Sequence, residues 1–253
     1  AQQVLDVAPE DDHLTRGGAA GFLGLAFWTR GDLAAAHRTY ADGMASLQKA
    51  GNISDAINGA TTLAAIRIAQ GRLHDAMRTY EQALQLAMEH GTPGFAVRGT
   101  ADMYVGMSEI NTEYNNLYSA TQYLLRSEEQ GDHTGFPQYR YRWRVAMARI
   151  REAQGDLDGA LDLLQEAEHL YVSDFFPNVR PVAALKTRVW VAQGRLGEAL
   201  GWAREKGLSA QDDLSYLREF EHITLARVLW ARYKSDRVNC PIHEATGLLD
   251  RLL

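Results

Sequence analysis

Histidine and cysteine are the residues of this sequence that most often bind metals or act as nucleophiles, and their spacing favours neither use. The eight histidines never fall three or four residues apart, the spacing that places two ligands on one helix face. The single cysteine, Cys240, precedes Pro241 and has no second cysteine to pair with, which favours an incidental thiol. The sequence contains no Gly-x-Ser-x-Gly motif and no Gly-Lys phosphate-binding loop. We therefore expect no catalytic site, no metal site and no enzyme activity.

Arginine is the side chain through which this sequence could recognise a ligand. The chain contains 22 arginines and only four lysines, and a planar guanidinium binds carboxylates or phosphates through paired hydrogen bonds. Arginine and aromatic residues alternate from 139 to 144, a pattern that can stack on bases or sugars. The formal net charge of −6 opposes nucleic-acid binding, because phosphate binding requires a basic surface. We therefore expect no direct contact with nucleic acid.

The elements that carry these side chains follow a repeat of about 40 residues. Each copy has a glycine, or an asparagine in its place, then a leucine two residues later and an alanine three residues further on. The glycine reaches the left-handed conformation that ends one helix, and the alanine permits close approach of the next helix. The turn residues are Gly31, Gly71, Asn115, Gly155 and Gly194, and the alanines are Ala36, Ala76, Ala120, Ala160 and Ala199, with Ala245 as a sixth.

This repeat predicts an all-α fold, a right-handed superhelical solenoid of antiparallel helix pairs of the tetratricopeptide type. We expect a single helical-repeat domain over 1–253, with five helix pairs and a partial sixth. The predicted pairs cover about 14–51, 54–91, 95–131, 137–172, 179–207 and 212–253. Because the last apolar helix has no partner after it, we expect the domain to be excised from a larger protein.

Composition indicates the class of protein and the cellular compartment expected for this domain. Hydrophobic residues make up 46% and charged residues 23% of the chain, which is typical of a folded globular protein. No apolar run approaches the roughly 20 residues that a membrane span requires, and no secretory leader precedes the repeats. With a single cysteine, the sequence favours a cytoplasmic protein that does not enter a membrane.

Four segments around the repeat turns carry a resemblance to a known family. They are Thr-Glu-Tyr-Asn-Asn-Leu at 112–117 with Ala120, Ala-Gln-Gly-Asp at 153–156, Ala-Gln-Gly-Arg at 192–195, and Leu-Arg-Glu-Phe-Glu at 217–221 leading into 225–229. Together they resemble the MalT-like superhelical repeat domain of large, ATP-dependent LuxR-family transcription regulators. The resemblance extends from about residue 16 to residue 253. It implies a three-part protein with a nucleotide-binding module before the superhelix and a helix-turn-helix module after it, both absent here. It also implies an effector-sensing superhelix, with ATP bound only in the absent N-terminal module and activation through self-association.

The first helix of each pair is expected to line the concave face of such a solenoid. Residues six before each turn form one predicted column, which contains Leu25, Ala65, Glu109, Arg149, Arg188 and Arg227. Residues three before each turn form a second column with Trp28, Ile68, Thr112, Glu152 and Val191. The helical period also turns Arg142 toward this groove, while Tyr139, Trp143 and Met147 face the core. We therefore select Trp28, Glu109, Arg142, Arg149, Arg188 and Arg227 as candidate ligand-binding residues.

Two of these assignments leave an alternative open. The arginines could grip a ligand, or each could pair with a nearby glutamate such as Glu152, Glu219 or Glu221 and tie repeats together. The apolar segment 174–177 between two pairs contains Phe175 and Phe176. These phenylalanines could form a lid or partner-binding loop, or could simply pack beneath the solenoid.

The leading functional hypothesis is an effector-sensing domain of a transcriptional activator that binds a small molecule in the concave groove and relays this to the other modules. The alternative is a protein- or peptide-binding tetratricopeptide scaffold. A closed, partly apolar pocket would favour the sensor, whereas an open groove with a continuous ladder of charges would favour the scaffold.

Overall fold

A computed structural model describes residues 1–90, 97–173, 176–237 and 240–253, and within them all side chains except those of Asp132 and Cys240. The described residues form thirteen α-helices and one 3₁₀ turn at Tyr216–Arg218. After the short α1 (Gln2–Val7), the helices are α2 (His13–Thr29), α3 (Leu33–Lys49), α4 (Ile53–Ala69), α5 (Leu73–His90), α6 (Thr100–Glu113), α7 (Leu117–Thr134), α8 (Tyr139–Ala153), α9 (Leu157–Leu170), α10 (Val182–Ala192), α11 (Leu196–Glu205), α12 (Glu219–Asp236) and α13 (Cys240–Leu252). None of these helices is both long enough and apolar enough to cross a membrane.

The tight turns within the pairs have the predicted backbone conformation. Gly31 has a φ of 83°, and Asn115, which replaces glycine in the third pair, has a φ of 56°. After three of these turns the side chain of Asp32, Asn116 or Asp156 caps the next helix; Asp32 accepts a hydrogen bond from the Ala35 N–H at 2.9 Å. A three-residue connection then forces the two helices of a pair to run antiparallel. The prediction of an all-α solenoid of helix pairs is confirmed.

The anchoring alanines form the contact between the helices of each pair. The five predicted alanines, from Ala36 to Ala199, are 0% exposed, and Ala245 is 3% exposed. Their small side chains let the helices approach closely, and larger residues fill the gaps between successive pairs. Tyr80 is an example: it is 0% exposed, and its ring packs so closely on α6 that a Cβ at Gly106 would overlap it.

Three details differ from the predictions. The sixth pair is complete rather than partial, because α12 and α13 have 18 and 13 residues. Cys240, for which Pro241 indicates a loop between helices, instead begins α13, since proline is tolerated in the first turn of a helix. The short α1 was not predicted. Arg16 holds it against α2 by donating to the Leu5 and Ala8 carbonyl oxygens at 3.0 Å each.

The superhelix closes on itself, so that the first pair touches the segment before the last pair. The Trp28 Nε1–H donates to the hydroxyl oxygen of Tyr216 at 2.9 Å across 188 residues of chain. The turn at Gly31 packs against the same ring, since a Cβ there would lie 2.9 Å from Tyr216 Cβ. This contact bridges the concave groove and bounds a partly open space within it.

Candidate ligand-binding cavity

A cavity of about 370 Å³ lies on the concave side of the superhelix. Helices α2, α4, α6 and α8 contribute one wall, through residues such as Trp28, Ile68, Glu109 and Arg142. Residues 176–180 and the stretch from Tyr216 to the start of α12 form the opposite wall. The cavity volume is at the lower end of the range of about 300–1,000 Å³ that small-molecule sites occupy. The space therefore suits a metabolite better than a polymer.

The structure brings together four of the six candidate residues and leaves two outside the cavity. Trp28, Glu109, Arg142 and Arg149 line it, as do Ala65 and Ile68 from the two predicted columns. Arg188 and Arg227 do not line it. Arg188 turns toward α12, where its Nε–H donates to Thr224 Oγ1 at 3.1 Å, and Arg227 is exposed. The column prediction therefore does not describe the C-terminal repeats of the groove.

Arg142 is the centre of an ionic cluster at one end of the cavity. Its Nη1 atom lies 3.3 Å from Asp102 Oδ1, and its Nη2 atom lies 3.8 Å from Glu109 Oε2. The Asp102 side chain is 1% exposed, and its Oδ2 atom also accepts the backbone N–H of Phe136 at 2.8 Å. The cluster thus fixes the connection between α7 and α8 against α6.

The pKa values in this cluster follow from burial and from the charges around it. Burial raises the pKa of Asp102, and the opposing effect of Arg142 does not cancel it. Burial acts to lower the pKa of Arg142, but the carboxylates of Glu109 and Asp102 outweigh it and raise that pKa above its usual value. The potential at this end of the cavity is therefore negative.

Arg149 and Arg180 form a second charged group and share one carboxylate. Arg149 Nη2 lies 2.9 Å from Glu113 Oε1, and Arg180 Nη1 lies 3.6 Å from the same oxygen. Burial acts to raise the pKa of Glu113, but the two guanidinium groups outweigh it and lower the pKa. Two positive charges thus face a single negative charge at this point of the wall.

Arg188 lies behind the cavity wall and adds a third positive charge near Arg149 and Arg180. Its guanidinium carbon lies 3.8 Å from the ring centroid of Phe220, whose side chain lines the cavity. Among the described residues Arg188 forms no ion pair. Burial, together with the positive charges of Arg227 and Arg180, lowers the pKa of Arg188 to about 10. Positive charges from Arg227 and Arg180 thus add to the effect of burial at this end of the cavity.

Arg149 pairs with a glutamate, as one of the two alternatives for the arginines has it, but the partner is Glu113 and not Glu152, Glu219 or Glu221. Arg142, for which no partner was predicted, pairs with Asp102 and Glu109. Glu221 pairs with Arg218 at 3.3 Å, and within the described chain Glu152 and Glu219 form no ion pair. The partners lie on the preceding repeat, because each repeat is rotated relative to its neighbour and brings α6 beside α8.

Phe176 packs into the superhelix and also forms part of the cavity wall. Its ring meets the Trp28 ring edge-on, with centroids 6.4 Å apart and an angle of 86° between the planes. The two alternatives for this segment therefore describe one arrangement, since the packed side chain encloses the space. Phe175 lies outside the described residues.

Sequence reasoning missed four residues that shape the cavity: Asp102, Glu113, Arg180 and Tyr216. Asp102 could have been found as a lone acidic residue within the largely apolar stretch 100–108. Arg180 belongs to the same connection as Phe176, so extending that segment by four residues would have included it. No local pattern marks Tyr216, because its role depends on a contact with the first repeat. No group of metal-binding side chains occurs in the part of the chain that the structure describes.

Comparisons with known proteins support the fold and identify the family. No curated protein matches the sequence. A solved structure described as the APC/C hetero-tetramer Cut9–Hcn1 is 15% identical with a TM-score of 0.65, over 100% of this chain and 45% of the other. A tetratricopeptide repeat protein from Parabacteroides merdae ATCC 43184 is 14% identical with a TM-score of 0.37, over 94% of this chain and 98% of the other.

This chain spans less than half of the Cut9–Hcn1 chain that it matches, and at 15% identity that likeness concerns the fold alone. The family model described as the MalT-like TPR region matches residues 1–252. That match covers nearly the whole chain and agrees with the repeat turns, the buried alanines and the helix pairs described above. The chain is a tetratricopeptide-type helical-repeat scaffold, and it belongs to the MalT-like TPR family.

Proposed function

We propose that this chain is the effector-sensing domain of a LuxR/MalT-type transcriptional activator and binds a small molecule in the cavity. The observation that carries the proposal is the contact between Trp28 and Tyr216, which bridges the groove and bounds a partly apolar, partly open space. A continuous open groove would suit an extended peptide, whereas a bounded space of metabolite size suits a small molecule.

The cavity wall is suited to recognition because it combines apolar surface with a few fixed charges. Trp28, Ile68, Phe176 and Phe220 supply the apolar surface. Arg142 and Arg149 are held by carboxylates on α6, so their orientation is fixed before a ligand arrives. Preorganisation of this kind reduces the entropic cost of binding.

The position of the cavity also supports a role in signalling. Its walls come from the first four pairs, from residues 176–180 and from the start of the sixth pair, so a ligand touches both ends of the closed superhelix. A ligand shifts a conformational equilibrium only as far as it binds one state better than another. A ligand that needs the closed cavity would favour the closed state. The closed state would then act on the nucleotide-binding and helix-turn-helix modules of a cytoplasmic regulator, or would promote its self-association.

A thermal denaturation screen against sugars, carboxylates, lipids and aromatic metabolites tests the proposal. We expect at least one compound to raise the melting temperature by several degrees, with a concentration dependence that fits one site. The variant Ala65→Trp, which fills the cavity from α4, should lose this response. The variant Ala34→Trp, on the exposed side of α3, should keep it.

The competing function is a scaffold that binds a protein or peptide. If no compound stabilises the chain, and a peptide or partner module binds equally well to the wild type and to Ala65→Trp, the sensor proposal is refuted. The same result would assign the function to the outer surface of the solenoid.

A further inference from the structure

The charged side chains around the cavity are sorted into two groups of opposite sign. The charges that act on Arg142 are the carboxylates of Glu109 and Asp102. The charges that act on Arg188 are chiefly those of Arg227 and Arg180, with Arg149 adding to them and Glu152 opposing. The cavity thus has an acidic end at α6 and a basic end between α8 and α10.

The basic end has hydrogen-bond donors that its own carboxylate does not satisfy. A guanidinium has five N–H donors, and charge-assisted hydrogen bonds to a carboxylate are about 2.7–2.9 Å long. Arg149 reaches Glu113 within that range, but Arg180 remains at 3.6 Å and keeps 49% of its side chain exposed. In the described part of the chain this is the only ion pair of Arg180. Its guanidinium is therefore available to a second anionic group.

The amount of excess charge at the basic end indicates a single negative charge on the ligand. Arg149, Arg180, Arg188 and Arg227 are grouped here with the carboxylates of Glu113, Glu152 and Glu219, so four guanidinium groups oppose three carboxylates. One carboxylate from a ligand would balance this group. A phosphate monoester would bring nearly two charges, which is more than this group balances.

The rest of the cavity is suited to an apolar body. Trp28 and Phe176 meet edge-on, and Ile68 and the Phe220 ring add aliphatic and aromatic surface beside them. Removing apolar ligand surface from water against such side chains is favourable, at about 25 cal/mol per Å².

We propose that the cavity binds an amphipathic monocarboxylate, with its carboxylate between Arg149 and Arg180 and its apolar body against Trp28, Ile68 and Phe176. This inference rests on the proposed function and adds the chemical class of the ligand. Arg180 is assigned as a specificity-determining residue that distinguishes an acid from its neutral analogue.

The test uses calorimetric titration of the full chain with matched probes. The acids are phenylacetate, 4-phenylbutyrate and octanoate, and each is compared with its primary amide and with a phosphate monoester of the same carbon skeleton. We expect at least one acid to bind at least about tenfold more tightly than its amide, the effect of one charge-assisted hydrogen bond.

The variant Arg180→Gln removes the charge and keeps a side chain that can form hydrogen bonds. It should weaken binding of the acid about tenfold and leave binding of the amide unchanged. Arg144→Gln is the matched control. Arg144 pairs with Glu166 at 2.7 Å and does not line the cavity, so this change should leave both affinities unchanged. Circular dichroism spectra of both variants verify that the helices are intact.

Each other outcome overturns a defined part of the proposal. Equal affinity for acids and amides, or tighter binding of the phosphate esters, overturns the monocarboxylate class while the sensor function stands. An acid preference that survives Arg180→Gln overturns the assignment of Arg180. If neither acids nor amides bind, the ligand class is overturned, and the thermal denaturation screen decides whether the sensor function stands.

Discussion

The closure between Trp28 and Tyr216 makes a quantitative prediction about stability. The substitution Tyr216→Phe removes the hydroxyl oxygen that accepts the indole N–H of Trp28 at 2.9 Å. Trp28 is only 4% exposed, so its N–H would be left without a partner away from water. An unsatisfied buried donor costs about 1–3 kcal/mol, and we expect the free energy of unfolding to fall by that amount.

A double-mutant cycle with Trp28→Phe isolates this hydrogen bond from other effects. Trp28→Phe also removes ring volume, so by itself it should cost more than the hydrogen bond. Once the indole N–H is absent, adding Tyr216→Phe should hardly change the free energy of unfolding. The hydroxyl is then removed without leaving a buried N–H group unpaired. We therefore expect a coupling free energy of about 1–2 kcal/mol between the two sites.

The assay is urea unfolding followed by circular dichroism, together with hydrogen exchange of the 3₁₀ turn at Tyr216–Arg218. Hydrogen exchange is included because a repeat array need not unfold as a single unit. Tyr233→Phe serves as the control, since the Tyr233 ring lies beside the Trp230 ring of the same helix, with the centroids 5.9 Å apart. If the two substitutions at residues 28 and 216 are additive within about 0.5 kcal/mol, the closure described here is refuted.

Two further predictions concern the charged groups of the cavity. Arg142→Met should lower the free energy of unfolding by about 3 kcal/mol, because it leaves the buried Asp102 carboxylate without its guanidinium. Adding Asp102→Asn should restore more than half of that loss, and urea unfolding measures both. Glu113 has a folded-state pKa below its ordinary value of 4.5, so its ion pair stabilises the fold above that pH and is lost as the pH falls through the folded pKa. The stability difference between the wild type and Glu113→Gln should therefore be constant near pH 7 and shrink below about pH 4.5.

Matched substitutions provide the controls for both predictions. Arg144→Met removes a partly exposed ion pair with Glu166 and should cost less than about 1 kcal/mol. A similar cost for Arg142→Met would contradict the role assigned to the Asp102 cluster. A stability difference for Glu113→Gln that persists unchanged to pH 3 would show that packing, not charge, explains its effect.

The helix pairs could be predicted from the sequence because they depend on short-range chemistry. The left-handed turn at Gly31 and the buried Ala36 five residues later are one local unit, and its recurrence set both the number of pairs and their approximate limits. Substituting Asn115 for glycine in the third unit changed nothing, since asparagine also tolerates a positive φ. The inward direction of Arg142 and Arg149 followed from helical periodicity in the same way.

The partners of these side chains depend on the superhelix and could not be obtained locally. Asp102 lies 40 residues from Arg142, and Glu113 lies 36 residues from Arg149. Sequence reasoning chose nearer glutamates because it had no measure of the rotation between repeats. Arg188 was placed in the groove for the same reason, although it stacks on Phe220 behind the cavity wall.

By itself, the sequence determined the class of fold, the position of each turn and the helix faces that pack together, because each repeat contacts mainly its neighbours. Only the tertiary structure decided that Trp28 meets Tyr216, that Phe176 closes the groove, and that the charges divide into an acidic and a basic end. These features depend on small rotations that accumulate over five repeats. An error of a few degrees at each step would move the two ends of the superhelix apart and leave an open groove in place of a cavity.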